Sequence, residues 1–208
     1  MESILQNKEN NLSDKQLSEM KDVYENNERM IGLVNDLLNI SRIDSGKSTL
    51  LNLAKIEIAS LIERAIKNLN SFAEERGVKI IFNNRLPSGF ALGIDDDKIY
   101  QAVLNLIANS IKYSKPENGF SEITAQIKDG KFLFSINDNG IGIPPENQHR
   151  IFEKFYRAEN ATTSQANGSG LGLYISKYYI ESHGGKIWFE SELGVGTTFY
   201  FSLKTDML

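Results

Sequence analysis

The stretch DDDKIYQAVLNLIANSIKYSKPENGFSEITAQIKDGKFLFSINDNGIGI, residues 95–143, changes character partway along, and that change decides the fold. In its first half Ile99, Val103, Leu106 and Ile107 fall on one face at steps of three and four, and Asp95 stands where an N-cap belongs. This predicts a helix running to Tyr113. The second half predicts a hairpin: strands over residues 122–127 and 131–137, joined across Lys128-Asp129-Gly130.

Outward from there, strands and helices keep alternating. Residues 51–56 read as a strand and 58–76 as a helix, with Leu61, Ile62, Ala65, Leu69 and Phe72 on one face and Gly77 ending it. Further strands are predicted over residues 78–82 and 89–94. A helix over 171–182 precedes strands over 186–190 and 197–203, joined by a Gly194/Gly196 turn. Several neighbouring strands can pair only antiparallel. The expected fold class is therefore α+β: a two-layer α/β sandwich, a mixed sheet under helices on one face. Residues 158–169, polar and rich in small side chains, read as a mobile loop.

The segment up to Lys47 reads differently and sets a domain boundary, residues 1–47 against 48–208. It has no proline, and its glycines are Gly32 and Gly46. Leu17, Met20, Tyr24, Ile31, Val34 and Leu38 recur at helical spacing, broken by Asn27, and Met30, Leu33, Leu37 and Ile40 widen the stripe to that of a helix bundle. Ser13 with Gln16 three residues on is a helix start, and Gly46 a stop. Residues 2–8 resemble the end of an earlier helix and 9–12 a turn, so the chain is expected to enter a helical hairpin partway.

Composition narrows the function. With 23 Lys and Arg against 27 Asp and Glu the net charge is −4, and no basic block marks a nucleic-acid surface. The absence of cysteine excludes disulfides and thiolate metal sites. No apolar run nears the roughly 18 residues that span a bilayer, and the N-terminal residues lack the pattern of a signal peptide.

Four short segments carry chemistry. In NLIANSIKYS, residues 105–114, Asn105 and Asn109 share a helix face with Lys112 one turn further. Carboxamide oxygens suit a hard cation such as Mg²⁺, and an ammonium beside it suits phosphate; an exposed polar helix side accounts for the same residues. In DNGIGI, residues 138–143, Asp138 at a strand end suits an exocyclic amine such as that of adenine, and Gly140 and Gly142 let backbone approach a flat base. A plain Asx turn before Pro144 also fits. In FEKFYR, residues 152–157, the aromatics pack the base of the following loop, and Arg157 is either a phosphate contact or a surface charge. In GSGLGL, residues 168–173, glycine-rich backbone opens a helix and presents N–H groups to an anion.

In this order and on these elements, the segments resemble the asparagine-bearing, first-glycine, phenylalanine and second-glycine boxes of sensor histidine kinases. GVGTTF, residues 194–199, resembles their last glycine turn, and VNDLLNISRIDSGK, residues 34–47, the end of their second dimerisation helix. The resemblance implies a Bergerat-type ATP site of the GHKL superfamily, with ATP and Mg²⁺ as its cofactors. It implies Asn109 as metal ligand with Asn105 close by, Lys112 and Tyr113 beside phosphates and ribose, and Asp138 on the adenine amine. Gly140, Gly142 and Ile143 would lie beside the ring, and Gly168, Gly170, Leu171 and Gly172 along the triphosphate. Asn105 and Lys112 would act in catalysis, and residues 158–169 would form the ATP lid.

Hydrolases of the superfamily, and similarly the anti-sigma serine kinases, resemble one another in a Glu where this chain has Asn105, whose amide cannot take a proton. The implied reaction is transfer of the γ-phosphate to a histidine on a dimerisation helix, then signalling to a response regulator; a binding module without activity is the alternative. The chain's two histidines, His149 and His183, are in the catalytic region and read as structural, so the acceptor is missing and the chain itself is not expected to autophosphorylate. The resemblance further implies a homodimer in the full-length kinase and a cytoplasmic placement, whether or not the parent is anchored in a membrane.

Overall fold

Ser13 opens the first element as its sequence predicts. Its Oγ accepts from Gln16 N at 3.4 Å, and Gln16 Oε1 accepts from Ser13 N at 2.9 Å, a reciprocal capping box at the start of helix α1 (Asp14–Asp44). The helix stops at Ser45, whose N–H donates to Ser41 O at 3.0 Å. The computed structural model describes residues 13–45, 50–164 and 168–205. Gly46 and the expected earlier helix and turn over residues 2–12 lie outside them. Along α1, Met30, Ile31, Val34, Leu37 and Leu38 are exposed.

The chain divides into two compact units, Met1–Lys47 and Ser48–Leu208. In the second, β1 (Ala54–Glu57) leads into α2 (Ile58–Glu75), β2 (Lys79–Asn84), β3 (Ala91–Ile94) and α3 (Asp96–Tyr113). β4 (Phe120–Lys128) and β5 (Lys131–Asp138) follow, then short helices α4 (Pro145–Gln148) and α5 (Glu159–Ser164). Helix α6 (Gly172–Ser182) and strands β6 (Lys186–Glu192) and β7 (Gly196–Lys204) complete it.

The sheet is mixed, as expected: order β2-β4-β5-β7-β6, with β2 parallel to β4 and the other pairs antiparallel. β1 and β3 form a separate two-stranded antiparallel sheet, which the sequence reading had merged with the main one. The β4–β5 turn carries positive φ at both Asp129 (51°) and Gly130 (70°), the I′ geometry that matches strand twist.

The core lies between sheet and helices. Leu61 and Ile62 of α2 and Ile99, Val103, Leu106 and Ile107 of α3 are buried with Ile123, Phe132, Phe134, Ile136 and Phe201 of the sheet. Phe134 and Phe201 stack with centroids 4.8 Å apart. Each such side chain stabilises the fold by about 1.5–3 kcal/mol. That packing fixes the ends of α3, β5 and α6 against one another.

Asp95 caps α3, accepting from Lys98 N at 3.2 Å, and its own N–H donates to His183 Nε2 at 3.0 Å. The imidazole must then carry its proton on Nδ1, which donates to Tyr179 O at 2.7 Å. His183 stands at a helix C-terminus, where partial positive charge is welcome. The ring is instead fully buried, and burial holds its pKa below the usual value. His183 is structural, but as a neutral tautomer.

Candidate functional site

Three hydrogen bonds, two of them backbone to backbone, assemble the site from distant sequence. Ile141 N donates to Tyr113 O at 3.1 Å, joining the DNGIGI segment to the end of α3. Asn105 Nδ2 donates to Gly172 O at 3.2 Å, joining α3 to the start of α6. Gly194 N donates to Ile141 O at 2.8 Å, laying the β6–β7 turn over the same loop.

At one end Asp138 terminates β5 and is buried. Gly140 N (2.9 Å) and Thr197 N (3.2 Å) both donate to its Oδ1, which leaves Oδ2 for a ligand. Burial raises its pKa to about 6 against the pull of those two bonds. The neighbouring glycines are required for a reason the sequence reading did not contain. A Cβ on Gly140 would lie 2.2 Å from Tyr113 O, and one on Gly142, at φ +66°, 2.1 Å from Glu192 O. The protein's own carbonyls, rather than a flat base, occupy the space a side chain would need. Ile143 is held through its N–H, which donates to Ser191 Oγ at 2.9 Å.

At the other end, Lys112 Nζ sits 5.2 Å from the Tyr113 ring centroid. The Arg157 side chain bonds the Tyr113 hydroxyl, whose pKa is raised by burial despite the guanidinium. A Cβ on Gly168 would lie 2.8 Å from Lys112 Nζ and 3.6 Å from Arg157 Nε, so two cations converge on this glycine. Gly170, at φ +70°, packs on the Phe155–Tyr156 backbone. Helix α6 begins without a side-chain cap, and the Leu171 side chain is buried, so Leu171 offers a ligand only backbone.

The two asparagines differ. Asn105 is engaged at both ends: Oδ1 accepts from Gln101 Nε2 at 3.1 Å, and Nδ2 donates to Gly172 O. Half-buried Asn109 has no side-chain hydrogen bond among the described residues, which fits a carboxamide oxygen kept for a hard cation. Of the histidines, His149 is exposed beyond α4. His183 lies at the far end of α6, whose 11 residues span about 16 Å from Gly172.

Thr197 and Asn160, whose Nδ2 donates to Gly142 O at 2.9 Å, join the site without having been singled out as ligand residues, and Arg157, left open between phosphate contact and surface charge, lies in it beside Gly168. Residues 158–169 are not wholly a loop: helix α5 occupies part of them. Its hydrogen-bonded backbone includes Ala161 O, which accepts from Arg157 Nη2 at 3.1 Å.

Fold and site together define an α/β sandwich with a carboxylate acceptor at one strand end and an uncapped helix opening that offers N–H groups to an anion. The sequence profile of the histidine kinase-, DNA gyrase B-, and HSP90-like ATPase family matches residues 94–207, and the chain belongs to that family. Sensor histidine kinase WalK of Bacillus subtilis (strain 168) is 40% identical over 179 residues, 85% of this chain and 28% of that protein. Full-length ShkA, solved in complex with AMPPNP, is 30% identical with a TM-score of 0.73, over 97% of this chain and 41% of its own. The nucleotide-free catalytic domain of histidine kinase ThkA is 26% identical with a TM-score of 0.64, over 74% of this chain and 96% of its own. The chain spans less than a third of the length of the curated relatives it matches. It is an ATP-binding catalytic domain of the histidine kinase type. No helix among the described residues is long and apolar enough to cross a membrane.

Proposed function

We propose that this chain transfers the γ-phosphate of ATP to a histidine outside its 208 residues, on a dimerisation helix, for passage to a response regulator. In this reading residues 1–47 belong to the dimerisation hairpin and residues 48–208 are the catalytic domain. The exposed stripe of α1 would then be covered in a homodimer of the full-length kinase. The observation that carries the reading is Asn105. It stands where the hydrolases have a general base, its amide cannot take a proton, and both its ends are already bonded.

In the proposed mechanism Asp138 Oδ2 accepts from the adenine amine, which fixes the base. Lys112 and Arg157 hold phosphate oxygens, and the first-turn N–H groups of α6 add to them. The Asn109 carboxamide oxygen would hold Mg²⁺, which would neutralise charge on the phosphates. The imidazole nitrogen forms the new N–P bond as the bond to the β,γ-bridging oxygen breaks, leaving ADP. With an amide at Asn105 in place of a general base, hydrolysis should be slow.

Radiolabelled ATP tests this. The chain alone should acquire no acid-labile phosphate. A longer segment bearing the dimerisation helices should be labelled by it in trans, and Asn109→Ala should abolish that transfer. Labelling of the chain alone, lost on changing His149 or His183, would refute the reading.

A further inference from the structure

Between the apolar faces of α3 and α6 lies one polar cluster, made by Gln101, Asn105 and Ser176 around the carbonyl of Gly172. Asn105 Nδ2 donates to Gly172 O at 3.2 Å. Ser176 Oγ, itself fully buried, donates to the same oxygen at 2.8 Å and lies 3.5 Å from Asn105 Nδ2. Polar groups taken out of water, Ser176 wholly and Gln101 and Asn105 in part, persist only if they are paired, and here each has a partner.

We infer that Asn105 is a positioning residue that, with Gln101 and Ser176, fixes the first peptide of α6 so that its N–H groups meet the phosphates. The inference rests on the nucleotide reading above. Gly172 is the first residue of α6, and no side chain caps that end. In a planar peptide the C=O of Gly172 and the N–H of Leu173 point opposite ways. Two donors drawing the oxygen into the helix pair therefore turn the Leu173 N–H outward, toward the N-terminal side. One turn back on α3, Gln101 Nε2 donates to Asn105 Oδ1 at 3.1 Å and decides which way the amide faces. A flipped amide would set Oδ1 against Gly172 O, acceptor against acceptor. Gln101 thus acts on the phosphate end through Asn105. Asn109, unbonded among the described residues, is left to bind a ligand directly.

The experiment compares the chain with Asn105→Leu, which keeps the shape and adds no charge, and with Gln101→Leu. ADP and adenosine are titrated with and without Mg²⁺, and amide exchange is followed without nucleotide. ADP affinity should fall about ten-fold in Asn105→Leu and about three-fold in Gln101→Leu. Both losses should be the same with or without Mg²⁺, and adenosine affinity should stay within about two-fold. The Ile175 amide, which donates to Leu171 O at 2.9 Å, should exchange faster in both variants, with Phe134 in β5 unchanged. Ile175 exchange unchanged in either variant would overturn the inference, as would an ADP loss seen only with Mg²⁺. Equal losses of ADP and adenosine would reduce the cluster to general packing and overturn it too. Failure of the unmodified chain to bind either ligand would instead sink the nucleotide reading, and this inference with it.

Discussion

At the Asp138 end of the site the closest neighbours are backbone atoms of strands, of the end of α3 and of a loop pinned on them. Asp138 pairs with Thr197 across β5 and β7, and Gly140 and Gly142 press against carbonyls from α3 and β6. At the Lys112 end the neighbours are tips of long side chains, Lys112 Nζ and the Arg157 guanidinium, gathered around Gly168. The first end is built by backbone and has no slack. The second is built by flexible side chains that can shift to meet a charged group. Shape recognition of a base needs the former, and accommodation of phosphates tolerates the latter.

The sharpest way to break this contrast is one substitution placed at both ends. Gly140→Ala drives a methyl to within 2.2 Å of the Tyr113 carbonyl, which is fixed by its bond from Ile141 N. It should destabilise the domain by about 3 kcal/mol or more, read as a lowered denaturation midpoint. A loss below about 1 kcal/mol would show that the adenine end has slack after all.

Next in size is Asp138→Asn, which separates stability from binding. The carboxyl titrates near 6 when folded, above its ordinary 3.8. The stability tied to its neutral form is full below about 3.8 and is lost as pH rises through about 6, where the folded state must hold a buried charge. Removing that charge should raise unliganded stability at pH 7 by about 1–3 kcal/mol. The same change should lower ADP affinity roughly ten- to hundred-fold in calorimetry, since a charged acceptor for the amine is gone. Adenosine affinity of the unmodified chain should fall as pH drops through about 6, with a flat profile in the variant.

The smallest effect belongs to Gly168→Ala. Its methyl would meet Lys112 Nζ at 2.8 Å, but an ammonium on a flexible stem can move aside. The backbone at φ +158° strains any side chain, so stability should fall by about 1 kcal/mol, well short of Gly140→Ala, while ADP affinity falls about two- to five-fold because the ammonium is displaced. Equal stability losses in Gly140→Ala and Gly168→Ala would erase the distinction between the two ends.

What the sequence made legible was local. The Ser13–Gln16 box, the Asp95 cap and the Asp129-Gly130 turn each rest on residues a few positions apart, and they stand where they were expected. The order of the motif segments named the family before any geometry was known. Non-local pairings were hidden. Nothing around Ala54 reveals that it will face Ile94, so the separate β1–β3 sheet went unseen. Helix α4, at four residues, is too short for a period to show. The need for glycine at 140 and 142 was legible, but its cause was not, because the blocking carbonyls come from residues 113 and 192. His183 was legible as structural, but its neutral, buried state was not, because its partner Asp95 N stands 88 residues away.

The chain leaves the five-stranded sheet at Asp138, the end of β5, and returns to it at Lys186, the start of β6, which makes residues 139–185 a single closed excursion. The entropy of closing such an excursion grows only with the logarithm of its length, about 0.6 kcal/mol for each doubling. A few residues more or fewer between Arg157 and Gly168 would scarcely register in the stability of the sheet. Over evolutionary time the segment proposed to meet the phosphates is therefore free to drift in length, while the loop from Asp138 to Gly142, wedged between two carbonyls, tolerates neither insertion nor deletion.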